Sequence, residues 1–451
     1  MNRALFLAPS AYPLGGVATW LDTLLPTLER SGWEVTLGLT AGKHHDAGRY
    51  LALHPWHRVT ATANPSGSRE GRVTALARTI ADSRADLVVV VNVPDAIDAV
   101  HRLRLRGMPV RVVLTVHAID EETIEETRRC GDVLDAVVCT NLLACELVAR
   151  TGGLEPRRVR YAPYGVDVPP ALPPDRFRGS PLRIVHAGRL EQRQKRVFDL
   201  PPILQAFDTL GVAWQLSIAG TGPDGAELER RLAAAGLRGR VELLGNVPRA
   251  AFVADVLSAA DVLLLTPLWE TGPIVAWEAM AAGVPVVCSR YIGSGREGSL
   301  VHGESGLLFD RGDAAAAAAC LRALLQPSTR QRIRAGGFAL VGGRYSIPLA
   351  GARWHRELRA IAALPLRELP PVSPTPAAGT LDRWLGTVNA ERLRRAVARR
   401  FEHNGPGGEW PHTYSPVVDA GRFWSAAAAL DQRGDSTGTA EAAAAAAPAR
   451  G

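Results

Sequence analysis

Short apolar runs alternate with amphipathic helical stretches along most of this sequence, and no other feature constrains the fold as strongly. Such alternation is typical of parallel sheets covered by helices. In the N-terminal part it predicts strands at 3–8, 34–40, 86–92, 110–116 and 134–140. Helices are expected between these strands, near 17–31, 72–83, 95–106 and 142–151.

A proline-rich segment interrupts this alternation at 169–174, which reads Pro-Pro-Ala-Leu-Pro-Pro. It is too stiff and too poor in backbone donors to lie inside a sheet. The alternation then restarts, with predicted strands near 182–188, 214–219, 241–244, 261–266, 285–288 and 306–309. The predicted helices of this second part lie near 196–207, 224–235, 249–259, 273–282, 313–325 and 328–338.

The two series together predict an α/β fold with two Rossmann-like, doubly wound parallel-sheet domains that face a central cleft, plus a C-terminal helical extension. Ligands in such folds bind outside the carboxyl ends of the strands. The predicted divisions are an N-terminal domain (1–168), a linker (169–179), a second domain (180–345), a helix packing back toward the N-terminal domain (346–363), a second proline-rich linker (364–380), a basic amphipathic extension (381–433) and a disordered tail (434–451).

The composition is that of a globular chain. Of 451 residues, 47% are apolar and 22% are charged, which excludes a disordered protein. A net charge of +7 is modest for this length and gives no reason to expect a nucleic-acid partner. Five cysteines without a Cys-x-x-Cys pair indicate a reducing compartment with neither a disulfide framework nor a zinc site. With no signal peptide and no apolar run approaching about 18 residues, we expect a cytoplasmic protein.

Within the extension, residues 381–403 predict an Arg-rich amphipathic helix. Two interpretations stay open. The helix lies on the anionic inner face of a membrane, or its face of Trp384, Leu385, Val388 and Phe401 packs onto the protein and leaves the arginines in solvent.

The basic residues are unusual, because only two of the 52 are lysines, Lys43 and Lys195. Lys195 follows Arg189 by six residues, across the turn from a predicted strand into a helix. An arginine grips anionic oxygens with a planar fork, whereas a lysine delivers a compact charge that can follow a leaving group. The pair therefore predicts a site for one anion; the alternative is a solvated helix start with scattered charge.

Two further features precede that pair. Gly15 and Gly16 open a predicted helix after the first strand. Their backbone amides either form an anion site at the start of the helix, or the pair is an ordinary strand-to-helix turn. His117 ends a buried strand, so its imidazole either points into the crevice or is a satisfied structural histidine.

Two glutamates follow the strand predicted near 261–266. Glu270 comes just after it, and Glu278 lies about five residues, on the order of 7 Å, into the helix that Pro273 opens. That separation does not suit a shared-proton pair but suits two hydroxyl-bearing parts of one extended ligand. The Gly/Ser loop at 291–299 can cradle a phosphate or be merely flexible. Walker A, His-Glu-x-x-His and nucleophile-elbow motifs are absent from the sequence.

Taken together, these residues resemble the family 4 retaining glycosyltransferases of the GT-B fold, over about residues 1–362. The specific parts are Gly-Arg-Leu followed by a lysine six after the arginine, and Glu-x7-Glu ending in Glu-Ala-Met-Ala-Ala-Gly-Val-Pro-Val-Val. Supporting parts are Gly15-Gly16, His117, Tyr164-Gly165-Val166-Asp167, Gly220-Thr221-Gly222-Pro223 and Gly303-Glu304-Ser305-Gly306-Leu307-Leu308.

The resemblance implies roles for four catalytic residues. Arg189 and Lys195 would bind the donor diphosphate as it leaves, Glu270 would bind the hydroxyls of the donor sugar, and His117 would reach that sugar. The implied donor-binding residues are Gly15, Gly16, Gly188, Thr271, Gly272, Ile274, Glu278 (to the ribose), Gly293, Ser294 and Gly295. The family needs no bound metal, so we expect neither metal nor cofactor, with the nucleotide-diphosphate sugar as substrate.

The implied reaction transfers a hexose-type sugar with retained anomeric configuration to a saccharide or lipid-linked acceptor of bacterial glycoconjugate or polysaccharide synthesis. A front-face route, in which the departing phosphate accepts the acceptor's proton, needs no protein nucleophile. Gly272-Pro273 stands where the family often has Phe-Gly, which leaves the sugar's identity open. The alternatives are a non-hydrolysing sugar-nucleotide epimerase of the same architecture and a catalytically silent binding module.

Overall fold

The computed structural model describes residues 2–11, 15–64, 66–151, 154–371, 379–397, 408–415 and 419–435. They form two compact units. The first unit contains the described residues of 1–140, 144–162 and 351–423, and the second contains those of 141–143, 163–350 and 424–451.

The first unit is built on a seven-stranded parallel sheet of order β3-β2-β1-β4-β5-β6-β7. Its strands are β1 Asn2–Ala8, β2 Trp33–Ala41, β3 Val59–Ala63, β4 Leu87–Val90, β5 Arg111–Val116, β6 Ala136–Cys139 and β7 Val159–Tyr161. The helices that alternate with them are α1 Gly16–Arg30, α2 Ala47–Leu53, α3 Arg69–Ser83, α4 Asp95–Arg104, α5 Glu121–Cys130 and α6 Leu142–Thr151.

Burial explains why this sheet forms. Every residue of β4 and β6 is buried, as expected for inner strands of a sheet that helices cover on both faces. Helix α1 buries one stripe, with Trp20, Leu21, Leu24 and Leu28 at helical spacing.

The second unit holds a six-stranded parallel sheet of order β10-β9-β8-β11-β12-β13. Its strands are β8 Leu182–Ala187, β9 Trp214–Ala219, β10 Val241–Gly245, β11 Val262–Leu265, β12 Val286–Ser289 and β13 Leu307–Phe309. Its helices are α7 Gln192–Lys195, α8 Leu200–Asp208, α9 Gly225–Ala234, α10 Arg249–Ala251, α11 Ile274–Ala281, α12 Ala314–Ala323 and α13 Pro327–Leu340. The predicted fold class, with two doubly wound parallel sheets, is confirmed.

Four further α-helices follow in the described chain: α14 Ile347–Ala362, α15 Thr380–Leu385, α16 Thr387–Ala396 and α17 Ala420–Asp435. The single helix predicted over 381–403 is wrong, because Gly386 adopts a φ of +73° and separates α15 from α16. Residues 398–407, including Phe401, lie outside the described residues, as does most of the predicted tail.

Buried carboxylates attach the extension to the first unit. Glu391 of α16 accepts hydrogen bonds from the hydroxyls of Ser66 and Ser68. Glu409 accepts from the backbone N–H groups of Lys43, at 2.6 Å, and His44, at 3.2 Å. These residues of the extension are therefore an integral part of the first unit.

Candidate functional site

The loops that follow β8 and β11 lie at one edge of the second sheet, because these strands are parallel neighbours. The first loop leads to Lys195 at the end of α7, and the second leads to Glu270. The Lys195 ammonium donates a hydrogen bond to the Glu270 carboxylate, and their side chains are 26% and 12% exposed. Two residues singled out separately in the sequence thus meet at the carboxyl ends of the strands.

Three hydrogen bonds fix the position of Lys195. The Thr266 hydroxyl donates to the Lys195 carbonyl over 2.8 Å, and the Leu268 N–H donates to the Gln194 carbonyl over 2.7 Å. The Gln194 side-chain amide donates in return to the Trp269 carbonyl over 3.3 Å. Helix α7 is therefore fastened along the segment that carries Glu270.

Glycines let two loops cross closely beside this pair. Gly188 has a φ of +145° and Gly220 a φ of +141°, where other residues are strained. A Cβ on Gly220 would lie 1.9 Å from the Gly188 carbonyl oxygen, and one on Gly222 would lie 2.3 Å from the Leu190 carbonyl oxygen. The Gly-Thr-Gly motif is thus required by the packing of one backbone on another.

Arg189 forms an exposed ion pair with Glu191 in this structure. Its side chain is 58% exposed, and its guanidinium lies 3.4 Å from Glu191. The predicted convergence of Arg189 and Lys195 on one anion stays a prediction.

Glu278 lies on α11, is 7% exposed, and accepts a hydrogen bond of 2.5 Å from Arg249. Burial raises the pKa of this carboxyl group, while the charge of Arg249 opposes that shift. Arg249 also lies 3.7 Å from the exposed Asp167. Arg249 is not among the residues predicted from the sequence, because nothing in its spacing separates it from the other arginines.

Packing explains Gly272, one of the predicted donor-binding residues. A Cβ there would lie 2.5 Å from the Tyr164 ring, and the Trp277 ring is also close. The neighbouring Thr271 carbonyl accepts from the Asn141 side chain over 3.2 Å, and the Ile274 N–H donates to the Gly272 carbonyl over 2.8 Å. The close Tyr164 ring therefore explains why residue 272 is a glycine, whether or not a ligand contacts it.

The Gly/Ser loop already holds an anion, the Asp431 carboxylate of α17. The backbone N–H groups of Gly293 and Gly295 donate to one of its oxygens, over 2.8 and 3.2 Å, and that of Arg296 donates to the other over 2.9 Å. The Ser294 hydroxyl donates to the Tyr291 carbonyl over 2.8 Å. We call these three N–H groups the anion nest. Asp431 carried no signal in the sequence.

The remaining candidates belong to the first unit. The His117 ring lies with its centroid 4.7 Å from that of Trp20, and its Nε2 is 2.8 Å from the Thr115 hydroxyl. Burial lowers the pKa of His117 to about 3, so the imidazole is neutral at pH 7. Gly15 and Gly16 are exposed at the start of α1, which has no side-chain cap and no acidic residue in its first turn. Residues 12–14 of this loop lie outside the described residues.

Membrane-spanning helices and metal clusters are both absent from the described part of the chain. Its helices include none with the length and apolar character that a membrane crossing requires. Nor do the histidines, cysteines, aspartates and glutamates of the same residues form a cluster of three that could hold a metal ion.

Two family models match this chain. The model described as Glycosyltransferase Family 4 matches residues 14–169, and the model described as Glycosyl transferases group 1 matches residues 181–327. One match falls on each predicted α/β domain.

Curated relatives and solved structures agree with these matches. The chain is 29% identical over 310 residues to a GDP-mannose-dependent alpha-(1-6)-phosphatidylinositol dimannoside mannosyltransferase of Mycobacterium tuberculosis, covering 61% of this chain and 76% of the relative. It is 33% identical over 132 residues to the lipopolysaccharide core biosynthesis glycosyltransferase LpsD of Rhizobium meliloti, covering 29% of this chain and 37% of the relative. The structure of Anabaena Alr3699/HepE in complex with UDP-glucose superposes with a TM-score of 0.65 at 18% identity, covering 81% of this chain and all of that one. At this identity the superposition shows a shared fold.

Proposed function

Since this chain belongs to the GT-B glycosyltransferases and carries a family 4 and a group 1 domain, we propose that it transfers a hexose with retention of configuration. The donor is a nucleotide-diphosphate sugar, and the acceptor is a saccharide or a lipid-linked glycan of bacterial surface polymers. The observation that carries the proposal is the contact between Lys195 and Glu270 at the carboxyl ends of β8 and β11.

In the proposed reaction the bond between C1 of the sugar and the diphosphate breaks. An acceptor hydroxyl attacks C1 from the same face, and its proton passes to the departing phosphate oxygen. Lys195, with Arg189, neutralises the charge that develops on the diphosphate. Glu270 accepts hydrogen bonds from the sugar's hydroxyls and so orients C1. His117, kept neutral by burial, contacts the sugar as a hydrogen-bonding group.

Glu278 is proposed to hold the ribose of the nucleotide. A buried carboxylate beside an arginine can accept hydrogen bonds from two neighbouring hydroxyls, and Arg249 favours its ionised form. The amides of Gly15 and Gly16 and of the Gly/Ser loop are the proposed contacts to the donor's anionic groups. Because side chains supply the positive charge, no resident metal is proposed.

The acceptor side of the proposal rests on the extension. Apolar residues are exposed on α15, on α16 and directly after α16, and Arg383 and Arg392 of the same helices are exposed too. Those apolar residues, with their exposed fractions, are Trp384 (82%), Leu385 (43%), Val388 (49%), Leu393 (42%) and Val397 (60%). Apolar groups flanked by cations suit an anionic membrane surface. We therefore propose that the enzyme works at the cytoplasmic face of a membrane.

A panel of UDP, GDP, ADP and their sugars tests the function. One nucleotide series is expected to raise the melting temperature, because a ligand that binds only the native state stabilises it by about 2.7 kcal/mol at a hundredfold excess over Kd. EDTA is expected to leave the shift unchanged. Incubation with the selected sugar and no acceptor separates the alternatives, since only an epimerase would interconvert the sugar. If the whole panel left the melting temperature unmoved, the proposal would fail in favour of a silent binding module.

A further inference from the structure

We propose that Asp431 is an internal competitor of the donor, held in the anion nest until the donor's anionic group displaces it. The inference rests on the proposed function, because it takes the nest to be part of the donor site. It concerns regulation of that site by α17, a helix outside both family matches.

The geometry of the nest supports occupation by one anion at a time. Both carboxylate oxygens of Asp431 are used, and all three N–H groups of the nest point at them within 3.2 Å. Gly293 has a φ of +106°, a conformation that turns successive amides toward one point. Asp431 is only 6% exposed, so the carboxylate fills the nest and does not lie at its rim.

The backbone of α17 also approaches the loop closely. A Cβ on Gly295 would lie 2.8 Å from the Asp431 carbonyl oxygen. The absence of a side chain at Gly295 therefore lets the helix reach the nest. A phosphate group could not enter the nest while α17 keeps this position.

A second contact joins α17 to the segment that carries the catalytic candidates. The Trp424 ring stacks on that of Trp269, with centroids 6.0 Å apart and planes at 24°. Trp269 precedes Glu270, and its carbonyl accepts from Gln194, the residue before Lys195. Displacement of α17 would thus change the contacts of both the nest and the segment that carries Glu270.

A carboxylate and a phosphate both accept hydrogen bonds from backbone N–H groups, so they compete for the three N–H groups of the anion nest. A diphosphate carries more charge and more acceptor oxygens than one carboxylate, so it displaces Asp431 from the nest when its concentration is high enough. The apparent Kd for the donor then equals the intrinsic Kd divided by the fraction of molecules in which the nest is empty. Asp431 would therefore set a concentration threshold for the donor and would not abolish activity.

The test compares D431N with D419N. The amide introduced by D431N keeps the shape of the carboxylate but loses its charge and one acceptor oxygen. Asp419 is exposed at the start of the same helix, where its side chain accepts from the Arg422 N–H over 3.2 Å, a cap that asparagine also provides. Titration calorimetry measures the Kd of the nucleoside diphosphate selected by the panel, and steady-state kinetics gives KM and kcat.

The expected result is a Kd and a donor KM lower by about fivefold or more for D431N, the lower range of ordinary coupling between sites, with kcat unchanged. D419N should match the wild type. Trp424→Ala, which weakens the docking of α17 without touching the nest, should shift both constants in the same direction. In hydrogen exchange, the amides of 293–296 should lose protection in D431N and regain it with nucleotide.

Two outcomes overturn the inference. Nucleotide binding by the wild type with equal or weaker binding by both D431N and Trp424→Ala would show that Asp431 only completes the fold of the loop. Absence of nucleotide binding by the wild type and both variants alike would instead remove the proposed function, and the inference with it.

Discussion

Lys195 is one of two lysines among 52 basic residues, and the sequence alone marks it as unusual. In the structure its ammonium contacts Glu270, while the other lysine, Lys43, has an exposed side chain. Lys43 contacts Glu409 only through its backbone N–H. The chain thus offers a matched pair of lysines, one in the candidate site and one outside it.

Replacing Lys195 by arginine is expected to lower kcat by about tenfold or more, because the planar guanidinium cannot replace a compact charge at the leaving phosphate. Initial rates at saturating donor measure the effect, and the melting temperature checks the fold. K43R serves as the control and should retain full activity. Near-normal turnover by K195R would remove the role assigned to Lys195.

Other site residues could not be predicted, for a physical reason. The spacing of Glu270 and Glu278 indicates a ligand with two polar parts, but it does not identify the cation beside either of them. Arg249 and Asp431 lie on helices that are far in sequence from the residues they contact, 29 residues from Glu278 and 138 residues from Gly293. No local pattern distinguishes them from similar residues on a surface. Contacts of this kind are set by tertiary packing, which the sequence pattern does not contain.

At the scale of elements, the helices of the extension bury charged side chains and expose apolar ones, the reverse of what their amphipathic sequence predicts. The interpretation in which Trp384, Leu385 and Val388 pack onto the protein is wrong, because these side chains are exposed. The buried side of the two helices instead pairs Arg394 with Asp382 over 2.5 Å. Ion pairs and hydroxyl contacts therefore decide which face is buried.

The exposed apolar side chains of the extension lead to a prediction for Trp384→Ser, because Trp384 is 82% exposed. The variant is expected to bind vesicles of anionic lipid about tenfold more weakly than the wild type, since burial of a large apolar side chain contributes roughly 1.5–3 kcal/mol. Vesicle sedimentation at low and high salt measures the binding. Leu53→Ser is the control, because Leu53 is 62% exposed on α2 and does not belong to the extension. Equal sedimentation of W384S and wild type would exclude the extension from membrane binding.

At the scale of the whole molecule, the parallel sheets were the most predictable part. Their inner strands are buried on both faces and read as continuous apolar runs, as β4 and β6 illustrate. The edge strands β3 and β7 were missed because they are short and contain threonine or arginine. Helix α5 was missed because eight of its ten residues are charged or hydroxyl-bearing.

The most direct test of the proposed retaining transfer is the anomeric configuration of the product. Once the panel has selected a donor, the enzyme is incubated with that α-configured nucleotide sugar and a lipid-linked or saccharide acceptor, and the new linkage is assigned by NMR. We expect transfer to the acceptor with an α-linkage and release of the nucleoside diphosphate. A β-linked product, or interconversion of the sugar without transfer, would contradict the proposed reaction.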